Sequence, residues 1–252
     1  MGKLDGRVAL VTGAARGQGA CEAQLFAGEG ASVVIADVLD DPGREVAAQL
    51  GDRARFIHLD VTSEASWAQA VDFAVEHFGR LDALVNNAGV GSGGAIQDTS
   101  LDEFWRVIRI NQVGVFLGMR AAVPTMIAAG GGTIVNTAST SGLVGIAGTG
   151  AYTASKHAVI AMTRVAALEL GSHRIRVNVV APGGVDTPMN AAVANDMDLT
   201  AEDPHAKMPL GRIGNPTEIA RLVLFLTSDD SSYTTGAVHV ADGGMLAGLI
   251  EF

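Results

Sequence analysis

The stretch Val8-Ala9-Leu10-Val11-Thr12-Gly13-Ala14-Ala15-Arg16-Gly17-Gln18-Gly19-Ala20 decides the fold. A short apolar run, typical of a buried strand, passes into a turn with three glycines, and a helical pattern follows. Glycines at such a junction let the backbone approach a pyrophosphate closely. The free N–H groups at the start of the helix favour the negative charge of that group. The spacing G-x-x-x-G-x-G differs from the commoner G-x-G-x-x-G, and taken alone it fits a flexible turn equally well.

Apolar runs like the first one recur along the chain and alternate with longer amphipathic segments. Several of them are rich in Val and Ile and carry no polar face, which is typical of strands buried on both faces of a parallel sheet. The runs are Val8–Val11, Ser32–Ala36, Arg55–Leu59, Ala83–Val85, Thr133–Val135, Ile175–Val180 and Ala237–Val240. The prediction is an α/β fold of Rossmann type: one domain over residues 1–252, with a doubly wound, seven-stranded parallel sheet flanked by helices on both faces.

Several helix ends are marked in the sequence. Ser100 with Glu103 predicts a capping box, and Asn215 with Glu218 frames a proline in the first helical turn. Gly171 stands where a long helical pattern stops.

Composition excludes several classes of protein. The net charge is −10 and no run of Lys or Arg occurs, so neither nucleic acid nor an anionic membrane surface is an expected partner. The single cysteine, Cys21, forms no internal disulfide and builds no metal site alone, so we predict no metal. Apolar stretches fall short of a membrane span, with Arg120 interrupting the longest, and the first residues lack a signal run. A cytoplasmic protein is the expectation.

An acidic residue closes the second predicted strand. Asp37 lies 18 residues after Gly19, near the spacing at which a carboxylate binds the ribose hydroxyls of a dinucleotide. The same charge would repel a 2′-phosphate, so the sequence favours NAD(H) over NADP(H). Arg16 leaves the alternative open, because a cation in this loop would neutralise that phosphate.

Two further strand ends carry polar residues that suit a cofactor contact. Asp60-Val61 follows the third strand, and Asn87-Ala88-Gly89 follows the fourth. Ligands of open α/β sheets bind beyond the carboxyl ends of the strands, although turns use the same residue types.

Tyr152 and Lys156 are four residues apart, which places them on one face of a helix. A phenol ionises near pH 10, and a neighbouring ammonium lowers that pKa, so the pair makes sense as an acid/base unit. An ordinary surface pair has the same spacing. Ser139 lies thirteen residues before Tyr152 at a strand end and could bind a substrate oxygen, and Ser141 is an equal candidate by spacing.

Together these motifs resemble the short-chain dehydrogenase/reductase family from about Leu4 to Gly244. The resemblance implies that Tyr152 exchanges a proton with the substrate oxygen, that Lys156 binds the nicotinamide ribose, and that Ser139 rather than Ser141 orients the substrate. It also implies that Asn111 holds a water that relays protons from Lys156. The implied cofactor contacts are Gly13, Arg16, Gly17, Gln18, Gly19, Asp37, Asp60, Val61, Asn87, Ala88, Gly89, Tyr152, Lys156, Pro182, Gly183, Val185 and Thr187. Gln18 departs from the family, in which an aliphatic residue is commoner.

Within the family, segments such as Ala36–Asp40 and His58–Thr62 resemble bacterial 3α/20β-hydroxysteroid dehydrogenases. We expect a neutral, apolar alcohol or ketone as substrate, because the expected pocket walls carry no Lys or Arg. Those walls are Val90, Leu143, Val144, Ile146, Met189 and Met208, with a short lid over about 185–210. The family resemblance implies a homotetramer. The open alternatives are a 3-oxoacyl thioester reductase, a small alcohol or sugar dehydrogenase, and a dinucleotide-sensing protein without catalysis.

Overall fold

The computed structural model describes residues 2–191 and 208–248. Its seven strands form one wholly parallel sheet in the order β3-β2-β1-β4-β5-β6-β7. The strands are β1 (Val8–Thr12), β2 (Ser32–Asp37), β3 (Ala54–His58), β4 (Ala83–Asn86), β5 (Gly132–Thr137), β6 (Ile175–Pro182) and β7 (Val238–Ala241). The predicted sheet is confirmed, and each strand lies within two residues of its predicted bounds.

Helices cover both faces of the sheet. They are α1 (Gly17–Gly28), α2 (Asp40–Leu50), α3 (Glu64–Phe78), α4 (Leu101–Ile108), α5 (Gly114–Ala128), α6 (Gly150–Leu170) and α7 (Pro216–Thr227). One core cluster joins α3, α5 and α6 to the sheet, and a second joins α1, α2 and α7 to its opposite face. This arrangement confirms the doubly wound fold.

Alternation along β1 explains why the apolar runs lack a polar face. Val8 and Leu10 belong to the cluster under α3, α5 and α6, whereas Ala9 and Val11 belong to the cluster under α1, α2 and α7. Successive side chains of a strand point to opposite faces, so a strand covered by helices on both sides needs apolar residues throughout.

The strand order reverses at β1, which pairs with β2 on one side and with β4 on the other. Thr12 lies beside Ala36 of β2, and Asn86 at the end of β4 lies beside Asn136 of β5. The carboxyl ends of these strands therefore share one edge of the sheet. A crevice for ligands is expected at this reversal point.

No helix within the described ranges is long and apolar enough to cross a bilayer. The predicted lid over about 185–210 falls mostly on residues 192–207, which lie outside the described residues.

Candidate active site

The glycine turn after β1 closes tightly against the end of β4. A Cβ on Gly13 would lie 2.9 Å from the Cα of Ala88, and one on Gly19 would lie 2.4 Å from the Gly13 carbonyl oxygen. Gly13 and Gly17 also have φ values of 65° and 58°, which L side chains rarely adopt. The turn thus accepts only glycine at these positions, and it presents bare backbone to the crevice.

The start of α1 is suited to an anion. Arg16 precedes the helix in an extended conformation (φ −162°), and its side chain makes no capping hydrogen bond to the first turn. The N–H groups of that turn and the helix dipole favour a negatively charged ligand. The bare cradle and this helix start together fit a dinucleotide pyrophosphate, in agreement with the predicted roles of the three glycines.

Asp37 lies at the end of β2, beside the glycine turn. Its side chain is buried (8% exposed), and its two carboxylate oxygens accept hydrogen bonds from the backbone N–H groups of Ala15 and Leu39, each at 3.0 Å. Each oxygen keeps a lone pair for a further donor. The nearby guanidinium of Arg44 pairs with Asp40 and Asp41, and the exposed Arg16 remains as the cation of the turn.

Asn87 joins the turn to β4 through its side chain. Its amide donates to the carbonyl oxygen of Thr12 at 2.9 Å, and the backbone N–H groups of Asn87 and Ala88 both donate to the Thr12 hydroxyl at 3.0 Å. Thr12 therefore holds two cofactor-lining segments together. The sequence analysis assigned no role to Thr12. Its hydroxyl, immediately before Gly13, was the feature from which this role could have been predicted.

The predicted cofactor contacts Asp60 and Val61 lie just after β3. Asp60 is exposed, and its carboxylate accepts hydrogen bonds from the backbone and hydroxyl of Thr62 at 2.9 and 2.8 Å. The side chain of Val61 packs against Gly114, where a Cβ would approach within 2.9 Å.

Tyr152 and Lys156 lie one turn apart in α6, as predicted. The Lys156 ammonium is 5.5 Å from the centre of the Tyr152 ring, is buried, and donates to the carbonyl oxygen of Thr137 at 2.8 Å. Burial lowers the pKa of Lys156 to about 8. Burial raises the pKa of Tyr152, and a hydrogen bond with Ser139 acts in the opposite direction. The expected lowering of the Tyr152 pKa by Lys156 is thus not found here, because desolvation dominates and the opposing influence comes from Ser139.

Ser139 is the serine that reaches Tyr152. It follows β5 in extended conformation, and its hydroxyl accepts from the backbone N–H of Ser141 at 3.2 Å. Ser141 itself is buried in a short 3₁₀ turn. The loop geometry therefore brings Ser139, and not Ser141, to the phenol.

Asn111 lies in a π-helical turn, Arg109–Val113, between α4 and α5. Its amide exchanges two hydrogen bonds with the backbone of Val90 (2.8 and 2.9 Å) and donates to the Ser155 hydroxyl at 3.2 Å. A Cβ on Gly89 would lie 3.2 Å from the Asn111 carbonyl oxygen and 3.6 Å from the Lys156 ammonium. Asn111 and Lys156 therefore lie on either side of Gly89. Ser155, inside the Tyr-Lys spacing, was missed as a partner.

The segment that follows β6 runs past the start of α1. Gly183 donates to the carbonyl oxygen of Ala241 at 3.0 Å, and the buried Val185 pairs with Gly214. Thr187 lies 3.7 Å from the Cβ position of Gly17. The chain beyond Pro182 is therefore carried to the glycine turn.

The predicted pocket walls lie on the loops that follow β4, β5 and β6. Gly94 donates to the carbonyl oxygen of Gly148 at 2.8 Å, which joins the first two loops. Leu143, Val144 and Met189 are exposed, with between 36% and 39% of their surface accessible. An accessible apolar surface therefore lies on the loops next to Tyr152.

Comparisons with known proteins agree with this geometry. A family model described as Enoyl-(Acyl carrier protein) reductase matches residues 13–246. The 3-alpha-(or 20-beta)-hydroxysteroid dehydrogenase of Mycobacterium tuberculosis is 50% identical over 248 residues, covering 98% of this chain and 92% of that protein. The trans-4-hydroxycyclohexanecarboxylate dehydrogenase of Sinomonas cyclohexanicum is 48% identical over 251 residues, covering 96% and 93%. Among solved structures, levodione reductase matches with a TM-score of 0.93 and 36% identity, covering 98% of this chain and all of that one.

Proposed function

Because the chain belongs to the short-chain dehydrogenase/reductase family, whose members oxidise alcohols and reduce ketones, we propose that it is an NAD(H)-dependent oxidoreductase of secondary alcohols and ketones. The family resemblance seen in the motifs is confirmed. The observation that carries the proposal is the meeting of Tyr152, Lys156 and Ser139 at the sheet edge that also bears the glycine turn.

The nicotinamide, when bound, supplies or accepts the hydride. The protein's part is then positioning and proton supply. Ser139 donates a hydrogen bond to the substrate oxygen, and Tyr152 gives that oxygen a proton during reduction or takes the hydroxyl proton during oxidation. Lys156 binds the nicotinamide ribose through its ammonium, and Asn111 links Lys156 to solvent through a water.

Asp37 supports NAD(H) as the dinucleotide. A buried carboxylate at the end of β2 has lone pairs left for the 2′- and 3′-hydroxyls of a ribose, and it repels a 2′-phosphate. Arg44, the cation next to this site on α2, is already paired with two aspartates.

The proposed substrate is a hydroxysteroid or ketosteroid of the 3α or 20β type. The relative at 50% identity bears that activity in its name, and the accessible wall residues are apolar. A smaller cyclic alcohol is the second candidate, because the relative at 48% identity is named for a hydroxycyclohexanecarboxylate. The wall residues that the structure describes include no cation that would hold a substrate carboxylate, which favours a neutral molecule.

We also propose one domain over residues 1–252, in the cytoplasm, assembled as a homotetramer. Large apolar side chains are exposed along the outer faces of α4, α5 and α6 in the described structure, which favours burial between subunits. They are Leu101, Trp105, Phe116, Val165 and Leu168.

The test is NADH oxidation by the purified protein with a panel of 3-, 17- and 20-ketosteroids, small cyclic ketones, a sugar-derived ketone and an acetoacetyl thioester, repeated with NADPH. Turnover of a ketosteroid with NADH is expected. Activity on only a cyclic ketone, sugar ketone or thioester would keep the mechanism and replace the substrate. No turnover together with tight NADH binding would favour the dinucleotide-sensing alternative.

A further inference from the structure

A buried carboxyl group lies directly beneath the cofactor turn and takes no part in the proposed chemistry. Glu22, in the second turn of α1, is fully buried (0% exposed), although an ionised carboxylate is almost never buried without a partner. Its Oε1 accepts a hydrogen bond from the Gln18 amide at 3.0 Å, while Oε2 has no partner within the described part of the chain.

The Gln18 amide connects this acid to the cofactor turn. Its nitrogen donates to Glu22 Oε1 and also to the side-chain oxygen of Asn87 at 3.2 Å. Asn87 in turn donates to the carbonyl oxygens of Thr12 and Gly13, at 2.9 and 3.3 Å. An unbroken line of hydrogen bonds therefore runs from Glu22 to the backbone that faces the pyrophosphate.

The protonation state of Glu22 is set by this environment. Burial is the main influence on its pKa and raises it to about 8, and the Gln18 amide acts weakly in the opposite direction. Helix α7, which packs on α1, brings Thr217 near the thiol of Cys21. Its acid, Glu218, is paired with Arg212, and the charge of its cation, Arg221, acts on Glu218. Glu22 therefore faces no compensating charge among the described residues of α1, α2, α7, β1 or β2.

We infer that Gln18 and Glu22 are positioning residues for the dinucleotide, and that tight cofactor binding requires Glu22 to be a neutral acid. Ionisation would place a negative charge in the first two turns of the helix whose start binds the pyrophosphate, in a region of low dielectric. It would also pull Gln18 toward the carboxylate and away from Asn87. By reciprocity, bound dinucleotide opposes loss of the Glu22 proton. This inference rests on the proposed dinucleotide site.

The experiment measures the Kd of NADH for the protein without substrate, by fluorescence, between about pH 6 and about pH 9. Glu22→Gln replaces the acid with a neutral group of the same shape, and the exposed Glu76→Gln makes the same change on α3 as a control. From about pH 6 to about pH 9, the Kd of NADH should rise in the wild type and in Glu76→Gln. The factor of this rise should be at least about threefold larger than in Glu22→Gln. Because Lys156 and Cys21 also titrate, only the difference between the variants carries the test.

A second variant tests the connection to Asn87. Gln18→Leu removes the bridging amide and is expected to raise the Kd of NADH several-fold at about pH 6, where Glu22 is neutral in every variant. Parallel pH profiles for the wild type and Glu22→Gln would overturn the inference, as would an unchanged Kd in Gln18→Leu. Failure of the wild type to bind NADH or NADPH at any pH would instead contradict the proposed function.

Discussion

Asp37 shows how one side chain serves both the fold and the cofactor. Its oxygens hold the backbone of Ala15 in the glycine turn and of Leu39 beyond β2, so the carboxylate is fixed before any ribose arrives. A charge fixed in this way discriminates through repulsion as well as attraction, because a 2′-phosphate would have to approach this negative charge closely.

Replacing Asp37 with Asn should relax this discrimination. The amide keeps one acceptor for the turn but removes the charge, so the ratio of kcat/KM with NADPH to that with NADH is expected to rise by about tenfold or more. Steady-state kinetics with both dinucleotides measure the ratio, and Asp52→Asn, on an exposed side chain, is the matched control. An unchanged ratio in Asp37→Asn would remove the basis for preferring NAD(H).

At the scale of elements, the strands were predictable because most of them are apolar on both faces, although β3 and β7 are only partly buried. The cap at Asn215 was predictable too. Its side-chain oxygen accepts from the N–H of Thr217, and the Glu218 carboxylate accepts from the backbone N–H of Asn215. The box at Ser100 is only half formed, because Glu103 pairs with Arg106 instead. At Gly171 helix α6 ends as predicted, but the left-handed residue is Arg174.

Contacts between elements distant in the chain were not predictable. The π turn at Asn111 depends on the packing of α4 and α5 beside α6, and the bridge from Gln18 to Asn87 joins residues 69 positions apart. Gln18 was expected to contact the cofactor, whereas its amide faces Asn87 and Glu22. No periodic pattern in the sequence encodes such pairs.

Two glycines of α1 distinguish a steric requirement of the glycine turn from the general effect of glycine on helix stability. At Gly19 a Cβ would collide with the Gly13 carbonyl oxygen at 2.4 Å, so Gly19→Ala is expected to weaken NADH binding at least about tenfold and to lower the unfolding free energy by about 1–3 kcal/mol. At Gly28 nothing lies within 4 Å, so Gly28→Ala should leave NADH binding unchanged and stabilise slightly. NADH titration and thermal unfolding of both variants check this. Equal NADH affinity in the two would contradict a tight turn.

For the whole molecule, the buried Glu22 predicts how stability varies with pH. Its pKa in the folded protein, about 8, lies above the ordinary value of 4.5, so the folded state holds a proton that the unfolded chain releases. Stability conferred by that proton is fully present below about pH 4.5 and is lost as pH rises toward about pH 8. Glu22→Gln removes this loss.

Denaturant unfolding of the wild type and Glu22→Gln measures that effect. The free energy of unfolding of the variant, relative to the wild type, should increase between about pH 5 and about pH 8, by a few kcal/mol in all. Glu76→Gln should run parallel to the wild type. A constant difference between Glu22→Gln and the wild type over this range would mean that Glu22 ionises in the folded protein as freely as in the unfolded chain.

The central claim is that Tyr152 performs the proton transfer at a nicotinamide site, and one paired measurement tests it most directly. Tyr152→Phe removes the hydroxyl alone, and Tyr233→Phe makes the same change on a fully exposed ring. With the best ketone of the panel, we expect kcat of Tyr152→Phe to fall by about 10²–10⁴ while the Kd of NADH stays within about twofold of the wild type, and we expect Tyr233→Phe to match the wild type in both. Retention of full turnover by Tyr152→Phe, with NADH still bound, would contradict the mechanism.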